Sequence, residues 1–224
     1  MEVIQIGSIA ILLKWVLLGL AILLGLLYMK FRLMYLQKHE IQNKEVFDLI
    51  FNSLFLGFLI WKGSMLILEP SLIIKSPFSL LYFTGGTTGL LFAITGSVLI
   101  FIYKAQKMNI PNLFIYQTVF IFTFVVLSSY HILALLFLDE HKMSHLTLGL
   151  FTLVTVSISF FKKNMLSQQA IFTYLILFSF LSLIQSFVIG NMDNKLFYLF
   201  SIEQWFLIVI IIVSLFYWDK KSTS

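Results

Sequence analysis

Asn112–Leu138 reads NLFIYQTVFIFTFVVLSSYHILALLFL, a run without one Asp, Glu, Lys or Arg. It exceeds the ~20 apolar residues that cross a ~30 Å hydrocarbon core, and it sets the fold class. Six more apolar runs surround it: Ser8–Met29, Val46–Leu66, Leu80–Tyr103, Leu146–Phe161, Leu166–Ile189 and Leu196–Trp218. Lipid offers no partner for a free backbone N–H or C=O, so each run must be helical throughout or rest against protein where it is not. The sequence therefore predicts an all-α membrane protein of about seven transmembrane helices, with residues 1–224 forming a single polytopic domain.

Composition points the same way. A chain of 224 residues that is 60% hydrophobic, 17% aromatic and only 11% charged, with a mean hydropathy of +0.99, cannot hide its apolar surface from water as a soluble globule. There is no cysteine, which excludes disulfides, thiolate metal sites and S-acylation within these residues. Ser8–Met29 is too long for a signal-peptide core and no small-x-small site follows it, so it is expected to remain as a helix. The net charge of +5 comes from short clusters between apolar runs, a pattern that points away from nucleic acid.

Those clusters predict an orientation. With the N-terminus outside, the cytoplasmic segments hold Lys30, Arg32, Lys38, Lys44, Lys104, Lys107, Lys162, Lys163, Lys220 and Lys221. The outer segments hold only Lys75, Lys142 and Lys195. Excess Lys and Arg mark the cytoplasmic side, so the C-terminus is expected inside. Glu69, Asp139, Glu140, His141, His145 and Asp193 then collect outside, and Ile67–Ser79, with Pro70 and Pro77, reads as an interfacial arm or re-entrant segment. Trp61, Trp205 and Trp218 fall near predicted helix ends, where an indole ring prefers the headgroup layer.

Few charged residues enter the runs. Lys14, Lys62 and Glu203 are charges placed within or near a span. Lys14 is one turn from the outer end and can snorkel; Lys62 is similarly placed, within reach of an anionic headgroup. Thr84-Gly85-Gly86-Thr87-Thr88-Gly89 serves close helix packing or, if locally unwound, a nest of N–H groups for a phosphate. His131, beside Ser128, Ser129 and Tyr130, has the chemistry of a general base, a ligand or a hydrogen-bonded core residue. No second histidine lies at i+3 or i+4 from it. His141 and His145 have i,i+4 spacing without the His-Glu-x-x-His pattern and are expected in a loop, so no metal site and no cofactor is predicted.

The order of these features resembles the prolipoprotein diacylglyceryl transferase family, bacterial enzymes that move diacylglyceryl from phosphatidylglycerol to a lipobox cysteine. Lys14-Trp15 with Gly19 and Gly25 is similar to that family's opening helix, and Gly57, Lys62 and the Pro70–Pro77 arm to its second. Tyr82-Phe83-Thr84-Gly85-Gly86-Thr87-Thr88-Gly89 is similar to the family's Ser-Phe-His-Gly-Gly-x-x-Gly, with Thr84 in place of histidine. Ser201-Ile202-Glu203-Gln204-Trp205 resembles the Ser-x-Gly-Gln-Trp that opens the seventh family helix. The signature Arg-Ile-Gly-Asn-Phe has no counterpart; Tyr130-His131 stands in its register, and Ser182 and Ser186 stand where the sixth helix carries arginine and an acid. Loss of both arginines removes the bidentate donors that grip phosphate.

The resemblance implies a transferase-like bundle in the bacterial cytoplasmic membrane, without the family reaction. Its expected role is binding a phospholipid such as phosphatidylglycerol, a lipoprotein or a membrane-protein partner. Lys62, Thr84, Gly85, Gly86, Tyr130 and His131 are expected to line a cavity open to the outer leaflet, with His131 as the one proton-exchanging group. The alternatives are an active diacylglyceryl or acyl transferase with His131 or His145 as base, and a small transporter or channel subunit.

Overall fold

The computed structural model describes residues 3–6, 9–35, 40–75, 85–161, 166–189, 196–197 and 200–219. A hairpin, β1 (Val3–Ile6) and β2 (Ile9–Leu12), precedes α1 (Leu13–Tyr35) and α2 (Glu40–Gly63). Two short helices follow, α3 (Met65–Leu68) and α4 (Pro70–Lys75), and then α5 (Gly86–Lys107), α6 (Asn112–Phe137), α7 (Lys142–Phe161) and α8 (Gln168–Ile189). A small hairpin, β3 (Leu196–Phe197) with β4 (Phe200–Ser201), leads into α9 (Ile202–Asp219). Seven of the described helices are long and apolar enough to cross a membrane. The chain is an all-α multi-pass membrane protein in that sense.

Helix boundaries differ from the apolar runs for a physical reason. Hydropathy marks where hydrocarbon lies, whereas helical hydrogen bonding continues into polar flanks. Thus α1 runs on through Lys30 and Arg32 to Tyr35, and α2 starts at Glu40 rather than Val46. At the other end of α1, residues 9–12 leave the expected span and pair in the hairpin, with Val3 opposite Leu12 and Ile6 opposite Ile9. Its strands are rich in Val and Ile, which suit a pleated backbone. The arm expected after residue 67 holds α4, whose Pro70 takes the first helical position, where a missing N–H costs nothing.

Two compact units form, Met1–Met29 with Asn112–Ser224 and Lys30–Pro111, and each is described by itself. In the first, α6 and α7 lie along each other, as do α8 and α9, while α8 touches α6 and α7 more sparsely. Phe124 on α6 contacts Phe151 on α7 and Phe178 on α8, with centroids at 6.5 and 5.5 Å, and Phe120 stacks beneath it at 4.3 Å. The second unit is built on the α2–α5 pair. Beside a buried apolar core that includes Phe120, Phe124 and Ile171, small polar residues are buried too, and large apolar ones face outward. Ser53, Gln117, Thr118, Thr152, Thr155, Ser159 and Gln204 are buried, while Leu23, Phe55, Leu99 and Phe216 are exposed.

Glycines set the closest approaches. A Cβ on Gly25 of α1 would stand 2.6 Å from Val126 Cγ2 on α6, whereas one on Gly19 would meet nothing within 4 Å. Gly25→Leu is therefore expected to destabilise the fold by about 1–3 kcal/mol. Gly19→Leu should leave the detergent-solubilised melting temperature nearly unchanged, and equal melting of the two variants would remove this packing from the account.

Candidate functional site

In the second unit, the end of α2 meets the start of α5. Trp61 Nε1 donates to Gly86 O at 3.0 Å, and Ser64 Oγ donates to Trp61 O at 2.8 Å. Ser64 is buried, and a Cβ on Gly85 or Gly89 would collide with its hydroxyl. Gly86 alone among the described glycines has a positive φ, +61°, at the residue where α5 begins. Farther along the same seam, a Cβ on Gly96 would stand 2.6 Å from Ile60 Cδ1, and one on Gly57 would stand 3.0 Å from Ser97 Cβ. The glycine-rich segment thus does what close packing requires: side-chain-free faces let α2 and α5 touch. Lys62 is on the same turn as Trp61, so it shares this end of the seam with Gly85 and Gly86. Thr84 lies outside the described residues.

In the first unit, Tyr130 and His131 sit on α6. His131 is buried, and its Nδ1 lies 2.9 Å from Nδ1 of His145, in the first turn of α7. One nitrogen must donate and the other accept. Tyr130 presses its ring edge on both imidazoles, with centroids at 5.5 and 6.0 Å. Gly149 makes room, since its Cβ would lie 3.3 Å from that of His131. His145 was expected in a loop; instead α7 begins at Lys142, and His141 precedes it in the turn with φ +56°. The partner of His131 thus comes from the next helix, where no i+3 or i+4 search would find it. Among the described residues, no cluster of three or more His, Asp or Glu converges on a point.

A second set of polar contacts at this end of the first unit escaped sequence reasoning. Ser144 Oγ donates to Gln185 Oε1 at 2.5 Å, and Gln185 Nε2 donates to Thr147 Oγ1, joining α7 to α8. Gln204 Nε2 donates to Ser186 Oγ at 3.1 Å, joining α9 to α8. Ser201 and Gln204 also cap α9 reciprocally: Ser201 N–H donates to Gln204 Oε1 and Gln204 N–H to Ser201 Oγ. A Ser-x-x-Gln before an apolar run was the available signal. At the start of α7, Lys142 pairs with Asp139 of the preceding connection at 2.8 Å, and this hydrogen bond and charge hold the Asp139 carboxyl below its usual range. Near the start of α1, Lys14 Nζ rests 5.0 Å from the centre of the Trp15 ring.

The sequence-named residues therefore fall into two groups. Lys62, Gly85 and Gly86 belong to the second unit, and Tyr130 and His131 to the first. No family model, curated protein or solved structure matches this chain. The resemblance to the transferases is carried by residue order alone.

Trp61→Phe keeps the ring and deletes the hydrogen bond to Gly86. It should cost about 1 kcal/mol of stability, with Gly89→Val costing more because its side chain has no room. Melting in detergent reads both; a Gly89→Val protein as stable as wild type would refute the close α2–α5 contact.

Proposed function

We propose that this chain is a lipid-binding protein of the bacterial cytoplasmic membrane, with the helix order of the prolipoprotein diacylglyceryl transferases but without their reaction. It holds a phospholipid of the phosphatidylglycerol type, or else a lipoprotein or a membrane-protein partner, where α2 ends and α5 begins. The Lys and Arg distribution orients it with the N-terminus outside and this end of the seam at the outer leaflet.

The observation that carries this reading is the Trp61–Gly86 hydrogen bond, which fastens the turn bearing Lys62 to the start of a long helix. A lysine there offers a cation, the first α5 N–H groups offer donors and the positive end of the helix dipole, and Trp61 suits the headgroup layer. A phosphate is the group that uses all three. The family reaction is set aside because both of its arginines are replaced. Native mass spectrometry after gentle purification should show bound phosphatidylglycerol, with occupancy falling about fivefold in Lys62→Ala. Lipid-free wild-type protein would overturn the reading.

One contact favours a second reading, a transferase with a rebuilt site. His131 and His145 share a hydrogen bond at 2.9 Å, so one imidazole can orient the other as a general base. This reading expects purified protein to move labelled diacylglyceryl onto a nucleophile such as a lipobox peptide. It further expects His131→Ala to abolish transfer at unchanged melting temperature; no transfer by the wild type removes it.

A further inference from the structure

Helix α2 packs along α5 and leaves its opposite face exposed. Val46, Leu49, Ser53 and Gly57 are buried on the packed side, and Gly57 lies against Ser97 of α5. On the other side Asp48, Asn52, Phe55 and Leu59 are exposed, Phe55 at 56% and Leu59 at 48%. Their steps of four, three and four residues are those of a seam along which two helices coil.

Phenylalanine and leucine suit lipid; an amide does not. The apolar run Val46–Leu66 centres on Leu56, so Asn52, four residues earlier, lies about 6 Å from the middle of a ~30 Å core. So short a side chain does not reach water from that depth. Asn52 has no hydrogen-bond partner among the described residues. Leaving it so in hydrocarbon costs free energy that a leucine would avoid. Hydroxyls on exposed helix faces escape this cost, since Thr95, Ser97 and Ser157 donate to carbonyls of their own helices. The amides of Gln117, Gln185 and Gln204 each donate to a neighbouring element. Asn52 does neither, so its partner has to come from a helix laid on this face.

Two features select a second copy of this chain as that partner. Copies in one membrane share an orientation, so a twofold axis along the membrane normal sets each residue opposite itself at equal depth. An amide both donates and accepts, so Asn52 can pair with Asn52, and Phe55 and Leu59 then meet their counterparts along the seam. The charges near the start of α2 fit as well. Lys44 is exposed beside Glu45 and Asp48, so each helix brings both signs, and the cation of one can meet the acids of the other.

We infer that the exposed face of α2 is the interface of a homodimer, in which two α2 helices cross at a pair of Asn52 amides with Phe55 and Leu59 packed beside them. This face is separate from the α2–α5 seam, and the inference does not rest on lipid binding there.

The test reconstitutes full-length protein, labelled with donor or acceptor dye at the C-terminus, in phosphatidylethanolamine–phosphatidylglycerol vesicles and reads energy transfer as protein is diluted in lipid. Wild type should associate, with Asn52→Leu needing about tenfold higher density and Asn52→Gln staying within about threefold of wild type. Because the chain has no cysteine, Phe55→Cys and Leu59→Cys each introduce one thiol for oxidative cross-linking in the same vesicles. Both should give disulfide-linked dimers, and Leu99→Cys, exposed on α5, should not. Wild type that stays monomeric at every density overturns the inference, whether another protein or the chain's own first unit then covers the face. Asn52→Leu associating as wild type does also overturns it, as does cross-linking at residue 99 equal to that at residues 55 and 59. Should Asn52→Leu not fold, the cross-linking comparison decides by itself.

Discussion

Hydrocarbon supplies no hydrogen-bond partner, and this requirement governs where every polar group in the chain goes. Backbone groups are satisfied within helices, and side-chain hydroxyls turn back onto their own helix, as Thr118 does to Phe114 O and Thr155 to Phe151 O. Gln117, Gln185, Gln204 and the His131–His145 pair find their partners across interhelical seams instead. The exposed surface is left to Leu, Ile, Val and Phe, which cost nothing against lipid. Burial of apolar area between helices then contributes little, and close packing of small residues takes its place. Gly57, Gly85, Gly89 and Gly96 along α2–α5 are that principle in one seam.

The first unit is layered by the same requirement. At the α6–α7 connection end, the His131–His145 pair, the Ser144–Gln185–Thr147 set and the Ser186–Gln204–Ser201 set tie four helices together. Around the middle, Phe120, Phe124, Phe151 and Phe178 fill the space with rings alone. At the opposite end, Gln117 Nε2 donates to Leu166 O, Gln168 Nε2 to Tyr217 O and Trp218 Nε1 to Thr173 Oγ1, beside stacked Phe172 and Tyr217. Gln168 satisfies a carbonyl that the end of α9 leaves open, and Gln117 one in the connection just before α8. Polar contacts thus gather toward both ends and rings toward the centre, an arrangement matched to a slab that is wet at its faces and dry inside.

The seven spans were legible because each is long and nearly free of charge, and composition alone demands a bilayer. Helix ends were not, since α1 and α2 carry hydrogen bonding past the apolar runs into Lys30, Arg32 and Glu45. The N-terminal hairpin was hidden because apolar strand and apolar helix look alike in hydropathy; only the crowding of Ile and Val distinguished residues 3–12. At the sites, Gly85, Gly86 and His131 were visible as unusual residues in their runs. The partners of His131 and Gln185 were not, because each comes from another helix and depends on interhelical register, which one sequence does not encode locally.

The Gln204-Trp205 pair shows how physics and resemblance can speak with one voice. Ser201 and Gln204 form a reciprocal cap, Glu203 sits in the first turn where a carboxylate meets the positive end of the helix, and Trp205 packs edge-on against Phe200 at 5.4 Å. Any apolar helix entering a membrane from a turn is served by those residues in that order, whatever its ancestry. The glycine run is similar, since α2 and α5 cannot approach as they do with side chains at residues 85 and 89. What capping and packing leave unexplained is a smaller remainder: a lysine on the turn that Trp61 fastens to Gly86, and two imidazoles in contact across α6 and α7.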